Sequence, residues 1–169
     1  MAGKISKNFS AWLEITSDKW ILDIVKYGYD IEFEHEPPIK VSRFQISFNK
    51  SEKEIMSVEV HKFLAKQIIR EISEKEVKFV SSIFLRPKKD GTYRLILNLR
   101  DLHEYVVKPH FKMETLKSVL TLVTPDCFFG SLDIKDAYFS IPVSLDSQGW
   151  LAFFWDNKFY AFTVLPNGL

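Results

Sequence analysis

Two carboxylates, Asp133 and Asp136, stand three residues apart between the apolar runs of FGSLDIKDAYFSIPV, Phe129 to Val143. On a solvated surface such a pair is cheap; between apolar runs each acid needs a partner or a metal. Hard divalent cations such as Mg²⁺ take oxygen ligands, usually one or two carboxylates plus water and substrate phosphates. In phosphoryl transfer that ion, often with a second about 4 Å away, binds the attacking and leaving oxygens. An Asp133 at the end of a buried strand would be held rigidly enough to serve as one ligand. On spacing alone, an Asp capping a strand-to-helix junction is the commoner case.

A second set of residues suits phosphate. In RPKKDGTYR, Lys88, Lys89 and Arg94 surround a tight turn, and an Arg guanidinium can bind phosphate in a bidentate fork. A solvated turn would favour Lys and Asp as well. Along the chain Lys78, Arg86, Lys88, Lys89, Arg94, Arg100, Lys108 and Lys112 outnumber Asp90, Asp101 and Glu104. After Met113 the balance reverses, with Asp126, Asp133, Asp136, Asp146 and Asp156 against few lysines. A basic segment followed by an acidic one suits metal-bound polyphosphate, and chance also produces it often.

The elements that would position these groups follow from pattern. TSDKWILDIVKYG predicts a short helix capped by Ser17, with Trp20, Ile21, Ile24 and Val25 on one face and Gly28 at its end. IEFEHEPPIK is extended and broken by proline, a linker or an edge segment. SEKEIMSVEVHKFLAKQIIREIS opens on a capping box, Ser51 and Glu54, and predicts one helix with Val60, Phe63, Leu64, Ile68 and Ile72 on a face. VSSIFLRPKKDGTYRLILNLRDL predicts a hairpin turning at Asp90-Gly91, with Leu95, Leu97 and Leu99 facing the core. FKMETLKSVLTLV returns to helical spacing; FFGSLDI, WLAFFW and FYAFTVL predict strands, the last two joined by DNK. Helices and hairpins in mixed order predict an α+β fold.

Composition sets the bounds. The chain has 169 residues, 46% hydrophobic and 15% aromatic, enough for one globular core. No apolar run approaches the roughly 18 residues of a membrane span, and MAGKISKNFSAW lacks a signal-peptide apolar region. The single Cys127 excludes an internal disulfide framework and fits a reducing, intracellular setting, cytoplasmic or nuclear. His35, His61, His103 and His110 do not pair at metal-ligand spacing, which argues against zinc. Net charge is +1, so the chain as a whole is no electrostatic nucleic-acid binder. The aromatics of WLAFFWDNKFYAFTVLPNGL are expected to form an uncovered patch, as in a chain cut short.

Taken in order, FLRPKKDGTYRLILNLRDLHEYV, FKMETLKSVL, GSLDIKDAYFSIPV and YAFTVLPNGL resemble the fingers and N-terminal palm of reverse transcriptases, from Val77 to Leu169. The upstream FSAWLEITSDKWILDIVKYGYDIEF resembles the segment before this domain in DIRS-type (tyrosine-recombinase) retrotransposons; gypsy-like and retroviral elements share the later motifs. The resemblance implies the fingers and partial palm of a right-hand polymerase fold, truncated. Residues 1–50 would be an N-terminal extension with a short helix and extended linker, 51–125 a fingers-like region with a helix and β-hairpin, and 126–169 the incomplete N-terminal palm.

It also implies roles. Asp133 matches the first catalytic, metal-binding aspartate, and the Ile134 carbonyl would lie near the second ion of a two-Mg²⁺ site. Asp136 and Ala137 match positions lining the incoming triphosphate, mainly through backbone. Tyr138 matches the aromatic that excludes a ribose 2′-OH, a role compatible with core packing. Lys88 or Lys89 and Arg94 match fingertip residues gripping the triphosphate. Asn167 and Gly168 match a turn near nucleotide and template, where other members often carry Gln or Phe in place of Asn167.

One departure stands out. The family's other two catalytic acids lie in a downstream aromatic-x-Asp-Asp hairpin, and this sequence contains no Asp-Asp pair. The two-ion site is therefore expected to be incomplete and the chain alone inactive, with the rest of the palm and the thumb missing. The implied function is a fragment of a retroelement reverse transcriptase. Its parent activity is Mg²⁺-dependent, template-directed addition of deoxynucleotides to a primer 3′-OH on RNA or DNA, without a membrane. The alternative is a catalytically inactive remnant or a module binding nucleic acid or protein.

Overall fold

The structure, a computed structural model, describes residues 2–108, 110 and 113–169. Lys112, the last of the basic set, and Phe111, which opens the FKMETLKSVL motif, lie outside the described residues.

Two short helices lead the chain, α1 (Phe9–Ile15) and α2 (Lys19–Tyr27). The cap of α2 is Asp18 rather than the expected Ser17: its carboxylate accepts the N–H groups of Trp20 and Ile21. A carboxylate at that position also meets the positive end of the helix dipole. Gly28 ends α2, as its type predicts. It sits at φ 95, and a Cβ there would lie 2.6 Å from the Ser144 nitrogen. Only glycine lets Tyr29 donate to the Pro142 carbonyl and Ser144 donate back to Tyr29 at this range, 2.8 and 3.1 Å. IEFEHEPPIK is extended, touching its neighbours by isolated bridges, Phe33 to Val106 and Lys40 to Phe79.

The long helix α3 (Lys50–Ala65) begins two residues earlier than expected. Asn49 and Glu52, not Ser51 and Glu54, form its capping box. It also ends sooner. Ile68 N–H donates to the Phe63 carbonyl and Gln67 N–H to that of Leu64, both at 2.9 Å, with Gln67 left-handed at φ 59. That pair of bonds is a Schellman stop, and Ile68 packs with Phe63 in the core beneath it. Beyond it Ile69–Ile72 is not helix but strand β1, antiparallel to β5 (Lys158–Phe162) from Ile69–Phe162 to Ile72–Phe159. β5 in turn pairs with β4 (Ala152–Trp155), giving sheet order β1-β5-β4. Asp156 and Asn157 turn the β4–β5 hairpin at φ 46 and 58, the doubly left-handed turn that matches strand twist.

The C-terminal aromatics are core, not an uncovered patch. Trp150, Phe153, Trp155, Phe159, Tyr160 and Phe162 are all buried, Phe153 at 0% exposure. Phe153 stacks on its register partner Tyr160 at 5.4 Å, and Phe63 of α3 meets Phe162 edge-on at 6.0 Å. Each such ring contributes about 1.5–3 kcal/mol by burial. The sequence reading lacked the partner: α3 and the extended N-terminal segment lie far away in sequence and supply the cover through Ile31, Met56 and Val60.

β2 (Ile83–Pro87) and β3 (Tyr93–Leu97) form the expected hairpin, with Leu95, Leu97 and Leu99 buried. The apolar surface lies elsewhere. The FKMETLKSVLTLV helix reduces to α4 (Leu116–Leu120), capped by Thr115, and Met113, Leu116, Leu120 and Leu122 are exposed. FFGSLDI forms no strand: residues 127–134 have no regular structure, and Phe129 and Leu132 are 78% and 89% exposed. A strand exists only where a neighbour takes its backbone groups, and none of the described residues pairs with this segment. A last short helix, α5 (Leu145–Gln148), precedes β4.

Candidate functional site

The β2–β3 turn is made rigid by groups other than its lysines. Lys88 N–H donates to the Thr92 carbonyl at 2.7 Å and Gly91 N–H to that of Lys88 at 3.2 Å. The Asp90 carboxylate accepts the Thr92 hydroxyl at 2.6 Å and the Thr92 N–H at 3.0 Å. Those bonds hold the Asp90 carboxyl below the usual carboxylate range. The ammonium groups of Lys88 and Lys89 are left exposed on a fixed frame.

The opposite wall is set by an antiparallel crossing near the C-terminus. Leu165 N–H donates to the Ile141 carbonyl and Val143 N–H to that of Thr163, around a Pro142–Val164 bridge. This pairing carries Tyr138–Phe139 and Pro166–Asn167 to the same end. Tyr138–Ser140 is a single tight turn in which Ser140 donates to the Ala137 carbonyl and Ile141 to that of Tyr138. Phe139 anchors it, edge-on to Phe63 at 5.5 Å. Asp136, just before the turn, is left-handed at φ 55, a conformation Asp tolerates better than most residues.

Between these walls lies a cleft of about 310 Å³. Lys88, Arg94, Ile134, Asp136, Ala137, Tyr138 and Asn167 all line it, so three separated stretches of sequence converge there. Lys89 and Gly168 line a neighbouring cleft of about 770 Å³, which shares Lys88, Arg94 and Asn167 and adds Arg86. Asp133 lines neither cleft. It is exposed on the unpaired 127–134 segment, not delivered by a buried strand as expected. The strand fails for want of a pairing neighbour, and with it the rigid placement of that carboxylate. Among the described residues no three His, Cys, Asp or Glu side chains gather as a metal cluster.

Sequence reading missed several wall residues. Tyr93, Lys66 and Phe139 line the first cleft. Tyr93 could have been found, since it is the register partner of Pro87 at the hairpin tip. Lys66 carries no signal of its own; the Schellman stop puts it there. Among the described residues no helix is long and apolar enough to cross a membrane.

No protein-family model matches the chain. It is 29% identical over 114 residues to the Tf2-3 and Tf2-4 transposon polyproteins of Schizosaccharomyces pombe. The match takes in 68% of this chain and 8% of each polyprotein, so the chain is homologous to a small part of a retrotransposon polyprotein. Among solved structures, the native protease–reverse transcriptase of prototype foamy virus superposes with a TM-score of 0.64 at 19% identity, over 80% of this chain and 18% of that one. The foamy viral protease–reverse transcriptase in complex with dsDNA gives 0.60 at 18% identity, over 96% and 38%. The mixed α/β fold is thus one found within that viral protein.

Proposed function

We propose that the chain is the fingers and N-terminal palm of a retroelement reverse transcriptase, whose parent reaction adds deoxynucleotides to a primer 3′-OH. The observation that carries this reading is the convergence of Lys88 and Arg94, Asp136–Tyr138, and Asn167 on one cleft. Cationic groups on one wall suit a triphosphate. On the other, the backbone at Asp136 and Ala137 lines the cleft where a nucleotide would lie, and the Tyr138 ring beside them supplies the bulk to exclude a ribose 2′-OH. Homology to retrotransposon polyproteins and the foamy viral fold support the same assignment.

The residues fit Mg²⁺ only in part. Exposed Asp133, with the Ile134 carbonyl beside it in the chain, is one carboxylate of a set that Mg²⁺ completes with water and substrate phosphates. A bound ion would supply charge neutralisation; the work of this chain's own residues is to grip the phosphates and fit the sugar. Titration of dATP into the full chain tests the reading. Lys88→Ala and Arg94→Ala should each weaken binding, and an affinity equal to the parent chain's in both variants would overturn it. A second reading, a nucleic-acid binding module, is favoured by the wider cleft with Arg86, Lys88, Lys89 and Arg94 on its wall. It requires affinity for single-stranded DNA that falls steeply with salt.

A further inference from the structure

The first residues of the chain are seated on the same two segments that wall the nucleotide cleft. Gly3 N–H donates to the Phe139 carbonyl at 2.9 Å, and Ala2 N–H to that of Lys66 at 3.3 Å. Ala2 packs against the main core. A turn of 3₁₀ helix, Lys4–Asn8, then starts directly beside the site. This docking encloses a second space of about 260 Å³, whose wall includes Lys4, Lys66, Lys135 and Asp136. Lys66, Ile68, Asp136 and Phe139 are common to both spaces, so the second continues the first around the Asp136 backbone.

Three lysines here face one carboxylate. None of the ion pairs among the described residues involves Lys4, Lys66 or Lys135. One carboxylate against three ammonium groups leaves an excess of positive charge whose mutual repulsion an anion between them removes. Lysine offers a compact charge with rotatable donors, the chemistry of a phosphate site rather than of a planar bidentate one. The space lies below the roughly 300–1,000 Å³ typical of drug-sized ligands, a size that suits a small anion.

We infer that Lys4, Lys66 and Lys135 form an anion subsite, completed by the N-terminal arm, that takes a condensed phosphate next to the nucleotide cleft. The inference rests on the nucleotide reading of that cleft. Two sources share the chemistry: free pyrophosphate, and the terminal phosphates of a nucleotide held next door.

The test is titration of pyrophosphate into the full chain in metal-free buffer, followed by phosphorus NMR line broadening. Lys4→Ala and Lys135→Ala should each weaken binding about fivefold, the scale of one exposed charge contact, and Lys4→Glu should weaken it further. Lys4 and Lys135 are both exposed, so circular dichroism and Tm should stay those of the parent chain. Pyrophosphate affinity unchanged in both alanine variants, or no binding to the parent chain, overturns the subsite. Parallel titration with dATP separates the sources. Mutual displacement with a matching loss in Lys4→Ala assigns the subsite to the nucleotide's own phosphates; simultaneous binding assigns it to free pyrophosphate. A dATP affinity indifferent to Lys88→Ala and Arg94→Ala would sink the polymerase reading while leaving the lysine result to stand on its own.

Discussion

Arg86 and Arg94 are register partners, directly opposite each other across the β2–β3 hairpin, and both line the wider cleft. Like charges at facing positions weaken a strand pair. No ion pair among the described residues takes up either guanidinium. A hairpin that keeps this arrangement sacrifices stability for a paired cationic face, which is what a phosphate backbone or triphosphate can use.

Arg86→Thr should therefore stabilise the chain by about 0.2–1 kcal/mol, because the opposed charge is gone and a β-branched residue suits the strand. The same variant should bind single-stranded DNA more weakly and reduce the slope of log affinity against log salt by about 1. Urea unfolding and a salt series of anisotropy titrations read the two effects. Loss of stability together with an unchanged salt slope would mean the guanidinium packs rather than binds.

Gly149 carries a different kind of constraint. Its carbonyl accepts both Lys78 N–H and Phe79 N–H, at 2.9 and 3.0 Å. A Cβ on it would lie 2.4 Å from the Glu76 carbonyl oxygen, a backbone atom that cannot swing aside. Gly149→Ala should cost about 1–3 kcal/mol as overpacking, seen as a lower urea midpoint with an unchanged m-value. A midpoint equal to that of the parent chain would show that the 76–78 segment yields.

Much of this architecture was legible because its signals are local. Asp90-Gly91 and Asp156-Asn157 carry the turn chemistry of their hairpins, and Leu95, Leu97 and Leu99 alternate as a half-buried strand must. Where the pattern misled, a longer-range partner decided. Ile72 matches helical spacing as well as strand spacing, and only the pairing of Ile69–Ile72 with Phe162–Phe159 settles it as strand. Phe129–Ile134 shows the reverse: a strand-like run left unpaired. The cleft residues Lys88, Arg94, Asp136, Ala137, Tyr138 and Asn167 were readable through family resemblance. Lys4 and Lys66 were not, since nothing in sequence says that the N-terminal arm docks on Phe139.

Ser81 offers a test of the core. Its N–H donates to the Ala152 carbonyl, but its buried hydroxyl has no hydrogen-bond partner among the described residues. A buried hydroxyl left unpaired costs more than a methyl in its place. Ser81→Ala should leave stability unchanged or raise it by up to about 1 kcal/mol. A clear loss on thermal unfolding would reveal a partner for that hydroxyl.

Acid should act through Glu76. Its carboxylate accepts the Ser73 N–H at 2.9 Å, pairs with Arg70 at 2.8 Å and takes the Ser73 hydroxyl at 2.9 Å. Those contacts lower its pKa from 4.5 to about 2. A depressed folded-state pKa means the contribution is fully present above the unfolded value and lost as pH falls through the folded one. The Tm advantage of the parent chain over Glu76→Gln should hold above pH 4.5 and shrink steadily down to about pH 2. A gap that stays constant with pH would assign the contribution to shape rather than charge.

Tyr138 tests the sugar side of the proposed nucleotide site. The ring is 52% exposed and lines the cleft beside Ala137 and Asn167, so it is a wall and not a buried core residue. If it selects by bulk, the phenol oxygen is dispensable and the ring is not. Tyr138→Phe should keep the preference for dATP over ATP, while Tyr138→Ala should raise ATP affinity toward that of dATP with little change for dATP itself. Competition titrations with the two nucleotides measure the ratio directly. A ratio unmoved by Tyr138→Ala would mean the ribose 2′-OH points elsewhere, and the orientation proposed for the nucleotide, phosphates on Lys88 and Arg94 and sugar on Tyr138, would have to be reversed.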